Sequence, residues 1–543
     1  MDLGKFSRDY STAVKDYHIE IPNDFNFAYD IVDKRAKDRD GVAVIAVSRD
    51  GEKIRDINYS DFSDDSSRLA NGMLSLGITK GDFGCLVIGR IPEWYTVLFA
   101  CMKVGAISMP GTNLLTAKDI AYRVQHSKAR FIVVTPEHCA KVDQVRGECP
   151  TLEHFIVVGG SHPGWLSLDE LMEKSSPALD RKDAPTTVAS DMMMAYFTSG
   201  TTSMPKMVPR DFGYALAHAA TALFWMDLRD GDVHWTLTDT GWAKAAWGLL
   251  FPPLLAGSKI VLYDGDGAFD VDFHLKMIER LNVSTFCAPP TVYRLFAQQD
   301  LGEYDCSSLR RSLGAGEPLN PEVIRYWEKH TGNVIADGYG QTETINIVGN
   351  FPGMETRFGS MGKPVPGFDI DIIDDDGNRQ PDNEVGHIAI RTEGNWPPGL
   401  FKGYYTGDTP DTASFRNGWY YTGDTAKRDA DGYIWFEGRA DDLISSGAYR
   451  ISPFEVESAL LEHSEVIESA VIGIPDATRG QLVKAYIILK NPDKAGPDLV
   501  TDIQDFCKNL TAPYKYPRQI EFVESLPKTI SGKIRRVELR EES

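Results

Sequence analysis

No cysteine in this chain stands at CxxC spacing, and the seven present (85, 101, 139, 149, 287, 306 and 507) match no metal-ligand pattern. An odd and sparse set argues against a disulfide framework and suits free thiols in a reducing compartment. Long apolar runs are scarce too. The longest, roughly 97–110, is broken by Lys103 and is too short to span a bilayer. The opening MDLGKFSRDYSTAVKDYHIE has no apolar signal core, and the closing REES carries no lipidation signal. A cytoplasmic protein is the expectation. Positive charge is in deficit: 57 Lys+Arg against 78 Asp+Glu gives 57 − 78 = −21. Such a surface repels phosphate backbones and excludes a general nucleic-acid binder. Internal repeats and low-complexity tracts are missing. So is any G-x-G-x-x-G after an early strand, which excludes a Rossmann dehydrogenase.

What is present is ordinary globular material, 42% hydrophobic and 25% charged over 543 residues, enough for three or four structural units. Short apolar runs at 85–91, 131–134, 155–158, 259–263, 283–287 and 334–335 alternate with helical segments such as 64–76 and 92–104. That alternation predicts parallel α/β layering. After about residue 356 the texture changes. The segments 368–373, 386–391 and 433–436 alternate between Gly/Asp turns, as antiparallel strands of a small barrel would. A third texture begins near Ala440, with helices at 453–462 and 498–509 and strands at 466–473 and 483–489.

Four stretches carry chemistry. In 196–206 (YFTSGTTSMPK) an apolar run feeds six small or hydroxyl residues and then Pro205-Lys206. Small residues let backbone N–H groups approach an anion, hydroxyls donate to phosphate oxygens, and the lysine adds charge. The stretch is not a Walker A loop, since Pro205 stands where that loop needs glycine. A plain Ser/Thr-rich turn would share the hydroxyls but has no need of Pro205-Lys206. In 337–343 (DGYGQTE) a tyrosine sits between glycines and a hydroxyl precedes a carboxylate. Tyr339 can stack on a base, Thr342 can reach a phosphate, and Glu343 is a hard oxygen donor for Mg²⁺. The turn 314–318 (GAGEP) can border a flat ligand. In 421–442, Asp424 suits ribose hydroxyls and Arg439 a phosphate, although a hairpin turn and a surface ion pair would read alike. In 526–536 (LPKTISGKIRR), Lys533 follows a flexible glycine on a basic segment of an acidic chain. Such a lysine can be delivered to developing negative charge; a solvated tail is the plainer meaning.

These four stretches, in this order, resemble the acyl-adenylate-forming (AMP-binding) superfamily, and most nearly its medium-chain acyl-CoA synthetases. Supporting stretches are FNFA at 25–28, RIPEW at 90–94, MPGT at 109–112, DTGW at 239–242, CAPP at 287–290 and TAPYKYPR at 511–518. The resemblance implies an α/β fold: a large N-terminal domain (1–440) of two doubly wound α/β subdomains plus a small β-barrel, and a small mobile α+β lid (441–543). It implies an ATP-dependent, AMP-forming acid–thiol ligase. A carboxylate attacks the α-phosphate of ATP-Mg²⁺, and CoA then displaces AMP from the acyl-AMP. Its partners would be a small carboxylic acid, ATP and CoA, with a homodimer allowed and no membrane span. Carried over residue by residue, Thr198, Ser199, Gly200, Thr201, Thr202 and Lys206 would hold the β,γ-phosphates. Gly316, Glu317 and Pro318 would border adenine, above Asp337, Gly338 and Tyr339. Thr342 would touch the α-phosphate, Glu343 would bind the metal, and Asp424 with Arg439 would hold the ribose. Asp441 matches the hinge, and Lys533 would stabilise the adenylation transition state. Trp242, Lys244, Trp247 and Gly340 would line the acyl pocket, where a bulky indole favours short, medium, branched or aromatic acids. Core tryptophans would read the same way. Gly447, Ala448 and Arg450 would meet CoA. Many relatives carry glycine where Ala448 stands, and the added methyl narrows a backbone-lined tunnel. A different acceptor, or a non-catalytic nucleotide-binding member, stays open at this point.

Overall fold

The computed structural model describes residues 3–198, 204–265, 269–316, 321–407, 409–446, 449–476, 478–511, 514–529 and 533–543. The chain divides into two compact units. The first is Met1–Phe197, Met207–Phe368 and Trp396–Thr412; the second is Thr198–Lys206, Asp369–Asn395 and Ala413–Ser543.

The first unit holds two mainly parallel sheets. One runs in the order Leu166–Ser167, His154–Val157, Phe131–Val134, Phe83–Val87, Ile107–Pro110, Met192–Phe197, Met207–Asp211, and only its last pair is antiparallel. The other has nine strands, its parallel centre formed by Ile335–Gly340, Arg311–Ala315, Thr285–Ala288, Val233–Thr236, Lys259–Tyr263 and Val42–Val47. Parallel strands covered on both faces bury every residue, so they read as unbroken apolar runs. Phe131–Val134 and Ile107–Pro110 are buried throughout. The run expected as a strand over 85–91 is a strand only to Val87; beyond it the chain turns toward the helix Glu93–Val104, which ends on Gly105 at φ 74°. Lys103, which breaks the apolar run in sequence, is 0% exposed. Its ammonium meets Asp33 and the Ser67 hydroxyl, each at 2.8 Å. Burial lowers its pKa, and Asp33 works against that.

Stretches far apart in sequence close on one another here. The Thr112 hydroxyl donates to Asp239 at 2.9 Å and that of Thr240 to the Ile88 carbonyl at 2.7 Å. A side chain at Gly241 would lie 2.0 Å from the Thr112 nitrogen, so only glycine fits that crossing.

The second unit has two sheets. In the first, Ile370–Ile373, Gly386–Arg391, Trp419–Arg428 and Phe415–Arg416 run antiparallel in that order, with Ile434–Arg439 also on Trp419–Arg428. In the second, the long hairpin Val466–Asp476 and Gly480–Leu489 carries Ile444–Ser446 and Tyr449–Ile451 at one side, and Gln519–Phe522 lies parallel to Gly480–Leu489. The helices Pro453–Leu461 and Pro497–Leu510 cover a core that includes Ile451, Val456, Leu460, Val471, Ile487 and Ile503. All seven cysteines are free and buried. Burial pushes the Cys85 and Cys101 thiols up to about 12.

Candidate active site

The 337–343 stretch begins as a strand. Ile335–Gly340 lies beside Arg311–Ala315, with Gly314 opposite Asp337 and Ala315 opposite Gly338. Gly316, in the turn after Ala315, has φ 105°, a conformation that favours glycine. Glu317 and Pro318 lie outside the described residues. Asp337 is held by its own turn, the Gly338 N–H donating to its carboxylate at 2.8 Å. Burial raises its carboxyl to about 7, opposed by that hydrogen bond and by the Lys244 ammonium. Lys244 donates to the Ala315 carbonyl at 3.1 Å, and its charge also acts on Asp337.

After Gly340 the strand gives way to a turn, and Glu343 sits there 8% exposed. The Tyr404 hydroxyl donates to its Oε1 at 2.8 Å, and the Phe401 N–H to its carbonyl at 3.0 Å. A carboxylate has two oxygens and several lone pairs, so this bond orients it while leaving capacity for a cation. Thr342 is partly exposed beside it.

Trp242 and Trp247 do not share one regular helix. Trp242 precedes the single turn Ala243–Ala245, and Ala246–Leu250 follows as a π-helical turn, a form common at functional sites. Trp247 is 6% exposed. Its ring meets Trp225 edge-on, with centroids 6.3 Å apart. A Cβ at Gly340 would lie 2.4 Å from the far edge of that indole and 2.3 Å from the Ile345 carbonyl. The Trp247 ring therefore occupies the space that a side chain at 340 would need, two residues before Thr342.

The remaining expected residues belong to the second unit. Thr198 and Lys206 cross-bond: the Thr198 N–H donates to the Lys206 carbonyl at 2.9 Å, and the Lys206 N–H to the Thr198 hydroxyl at 3.2 Å. Lys206 is exposed. Ser199, Gly200, Thr201 and Thr202 lie outside the described residues. Asp424 is buried on Trp419–Arg428 and receives Arg439 at 3.3 Å. Gly423 before it has φ 78°, and a Cβ there would lie 3.2 Å from the Arg439 guanidinium. Asp441 is exposed in the turn after Ile434–Arg439, 3.5 Å from Arg439. Asp442 is held instead by Arg536, at 3.5 Å, and by Arg540.

Lys533 is exposed. The Thr529 N–H donates to its carbonyl at 2.8 Å and its own N–H to the Thr529 hydroxyl at 3.1 Å. Leu526 and Ile534 pack into one apolar cluster with Ala470, Ile472, Tyr486 and Leu539. Leu526 and Ile534 thus anchor the chain on either side of Lys533. Gly447, Ala448 and the side chain of Arg450 lie outside the described residues. Sequence reasoning missed Tyr404 and Arg210. Tyr404 carries no motif. Arg210 had one available signal, a charge inside the strand that follows the hydroxyl run.

Two doubly wound sheets and an Asp337-to-Glu343 strand-and-turn define an adenylate-forming fold. The chain belongs to the AMP-binding enzyme family: the profile described as "AMP-binding enzyme" matches residues 32–405, and that of the "AMP-binding enzyme C-terminal domain" matches 455–533. Within the family it is an acyl-CoA synthetase. It is 41% identical over 544 residues to mouse "Acyl-coenzyme A synthetase ACSM3, mitochondrial", covering 98% of this chain and 93% of that protein. To mouse "Acyl-coenzyme A synthetase ACSM4, mitochondrial" it is 42% identical, with 96% and 91% covered. The crystal structure of the anthranilate CoA ligase AuaEII in complex with anthranoyl-AMP matches with TM-score 0.86 at 33% identity, covering 96% of this chain and 98% of that one. A Brucella canis acyl-CoA synthetase matches with TM-score 0.75 at 34% identity, covering 98% of each.

These names correct one expectation. A cytoplasmic location does not stand, because the mouse, rat and human relatives are named mitochondrial. The reason is physical: organelle transit signals are amphipathic and not apolar, so a lack of apolar segments separates secreted proteins from the rest and no further.

Proposed function

We propose that this acyl-CoA synthetase activates a small carboxylic acid whose acyl group is stopped by Trp247, so that short, medium, branched or aromatic acids are favoured. The observation that carries this reading is the contact of Trp247 with Gly340 immediately ahead of the Thr342–Glu343 turn. It sets an indole wall beside the residues read as phosphate and metal contacts. The anthranoyl-AMP bound by the 33%-identical ligase supports an aromatic or similarly compact acid.

A carboxylate is a poor acylating agent, because its leaving group is oxide. Exchanging that oxide for AMP makes departure easy, and CoA sulfur then takes the acyl group. Thr342 donates to the α-phosphate, Lys206 with the hydroxyls around it holds the β,γ-phosphates, and Asp424 with Arg439 receives the ribose. Lys533 contributes positive charge to the crowded α-phosphate as the carboxylate attacks it. Glu343 fits Mg²⁺: it is a hard oxygen donor with its orientation fixed by Tyr404. Magnesium sites of this class use one or two carboxylates plus substrate phosphates. When bound, the ion neutralises charge on the phosphates. Gly447, Ala448 and Arg450 serve the CoA arm.

The test is acid-dependent pyrophosphate exchange across acetate to octanoate, branched and aromatic acids and a long-chain acid such as palmitate, followed by CoA-dependent release of AMP. Exchange with compact acids only is expected. Equal turnover of long-chain acids removes Trp247 as the wall, and AMP release indifferent to CoA removes CoA as acceptor.

A further inference from the structure

Arg210 lies on the strand Met207–Asp211 and is 2% exposed. One arm of its guanidinium donates to the Gly399 carbonyl at 3.1 Å. The other donates to the carbonyls of Thr342 and Thr344, the latter at 3.0 Å. The guanidinium also lies 4.3 Å from the Tyr214 ring centroid. The carbonyls it holds flank Glu343 on either side. The third belongs to the segment that supplies the Phe401 N–H and the Tyr404 hydroxyl, both of which bond Glu343. One planar cation thus ties together the turn carrying Thr342 and Glu343 and the segment that orients Glu343.

The residue type matters. Burying a cation is costly, and an apolar side chain would fill the space more cheaply. Arginine presents its donors in a rigid fork and can bridge acceptors on two segments at once; a lysine concentrates its donors at one point. Charge-assisted bonds to carbonyls also exceed neutral ones in strength.

We propose that Arg210 is a positioning residue for the adenylation half-reaction. It fixes the peptide units around Glu343 so that the Thr342 hydroxyl and the Glu343 carboxylate face phosphate and cation together. It touches no reacting atom, and the proposal rests on the roles read above for Thr342 and Glu343. A small displacement there is expensive, because a misplacement of about 1 Å can cost on the order of 100-fold in rate.

The test uses full-length Arg210→Lys, which keeps the charge and loses the fork, and Arg210→Met, which loses both. Pyrophosphate exchange, its Mg²⁺ dependence, thioester formation from supplied acyl-AMP and amide hydrogen exchange over 341–345 are measured for each. In both variants exchange turnover should fall on the order of 100-fold, with half-activation at higher Mg²⁺. Thioester formation should stay within about threefold, because the loss belongs to one transition state. Amides over 341–345 should exchange faster. Equal losses in both half-reactions with an unchanged Mg²⁺ midpoint would mean a merely structural arginine and overturn the proposal. So would unchanged amide exchange in Arg210→Lys, which alone decides if Arg210→Met does not fold. Wild-type exchange surviving in Thr342→Val and Glu343→Gln would refute the underlying roles and the proposal with them, a result distinct from failure of the clamp.

Discussion

Asp337 lies within the strand Ile335–Gly340, where its carboxyl is poorly solvated, and burial lifts it from 3.8 to about 7. The sign follows directly. A raised carboxyl pKa means that the folded state holds a proton the unfolded state has lost, so its contribution to stability is full below about pH 4 and is lost as pH rises through 7. Function should move the other way. If Asp337 accepts from the exocyclic amine of adenine, ionisation strengthens that bond, and ATP should bind more tightly as pH rises through about 7. The KM for ATP, measured across that range, should fall in the wild type and stay flat in Asp337→Asn. A slope unchanged in the variant would detach Asp337 from the base. Trp247 supports a second test at this scale. Trp247→Gly should extend the accepted acids by several methylenes, while costing about 3–5 kcal/mol through the cavity it leaves. An unchanged chain-length profile, read beside the thermal midpoint, would return Trp247 to the core.

Elements were legible in sequence wherever a single periodicity governed them. The buried strand Phe131–Val134 and the helix Glu93–Val104 need only local pattern, and both stand within a residue of the reading. Tertiary contact was what the pattern could not carry. Lys103 looked like a break in an apolar run because its partner, Asp33, lies seventy positions away. The 337–343 turn was readable as a glycine-bounded motif; of its supports, Tyr404 carries no motif and Arg210 showed only as a charge inside a strand. The last helix, Arg536–Glu541, shows what such hidden supports contribute. Arg536 reaches Glu457 on the helix Pro453–Leu461 through two bonds, at 2.6 and 2.7 Å, and Glu457 also accepts the Val471 N–H at 2.7 Å. Burial raises the Glu457 carboxyl, and Arg536 opposes that rise. Removing one member of a buried pair strands the other, which typically costs 3–5 kcal/mol. Glu457→Ala should therefore lower stability by about 3 kcal/mol or more and speed proteolysis of the C-terminal segment. Denaturant unfolding within about 0.5 kcal/mol of the wild type would show the pair to be dispensable.

For the molecule as a whole, the two half-reactions make separable demands on charge. Adenylation gathers a triphosphate and a carboxylate; thioester formation starts from a mixed anhydride that carries one phosphate. Lys533→Ala should accordingly lose about 3 kcal/mol or more of transition-state stabilisation in pyrophosphate exchange, with little change in thioester formation from supplied acyl-AMP. Parallel losses in the two assays would refute its specific role. Both reactions also pass through an intermediate that can acylate any accessible sulfur. The seven cysteines are all inside the protein, and those at 85 and 101 are held far from ionisation. An enzyme that manufactures an acylating agent thereby keeps its own thiols out of reach, and incoming CoA meets no competing thiolate from these cysteines.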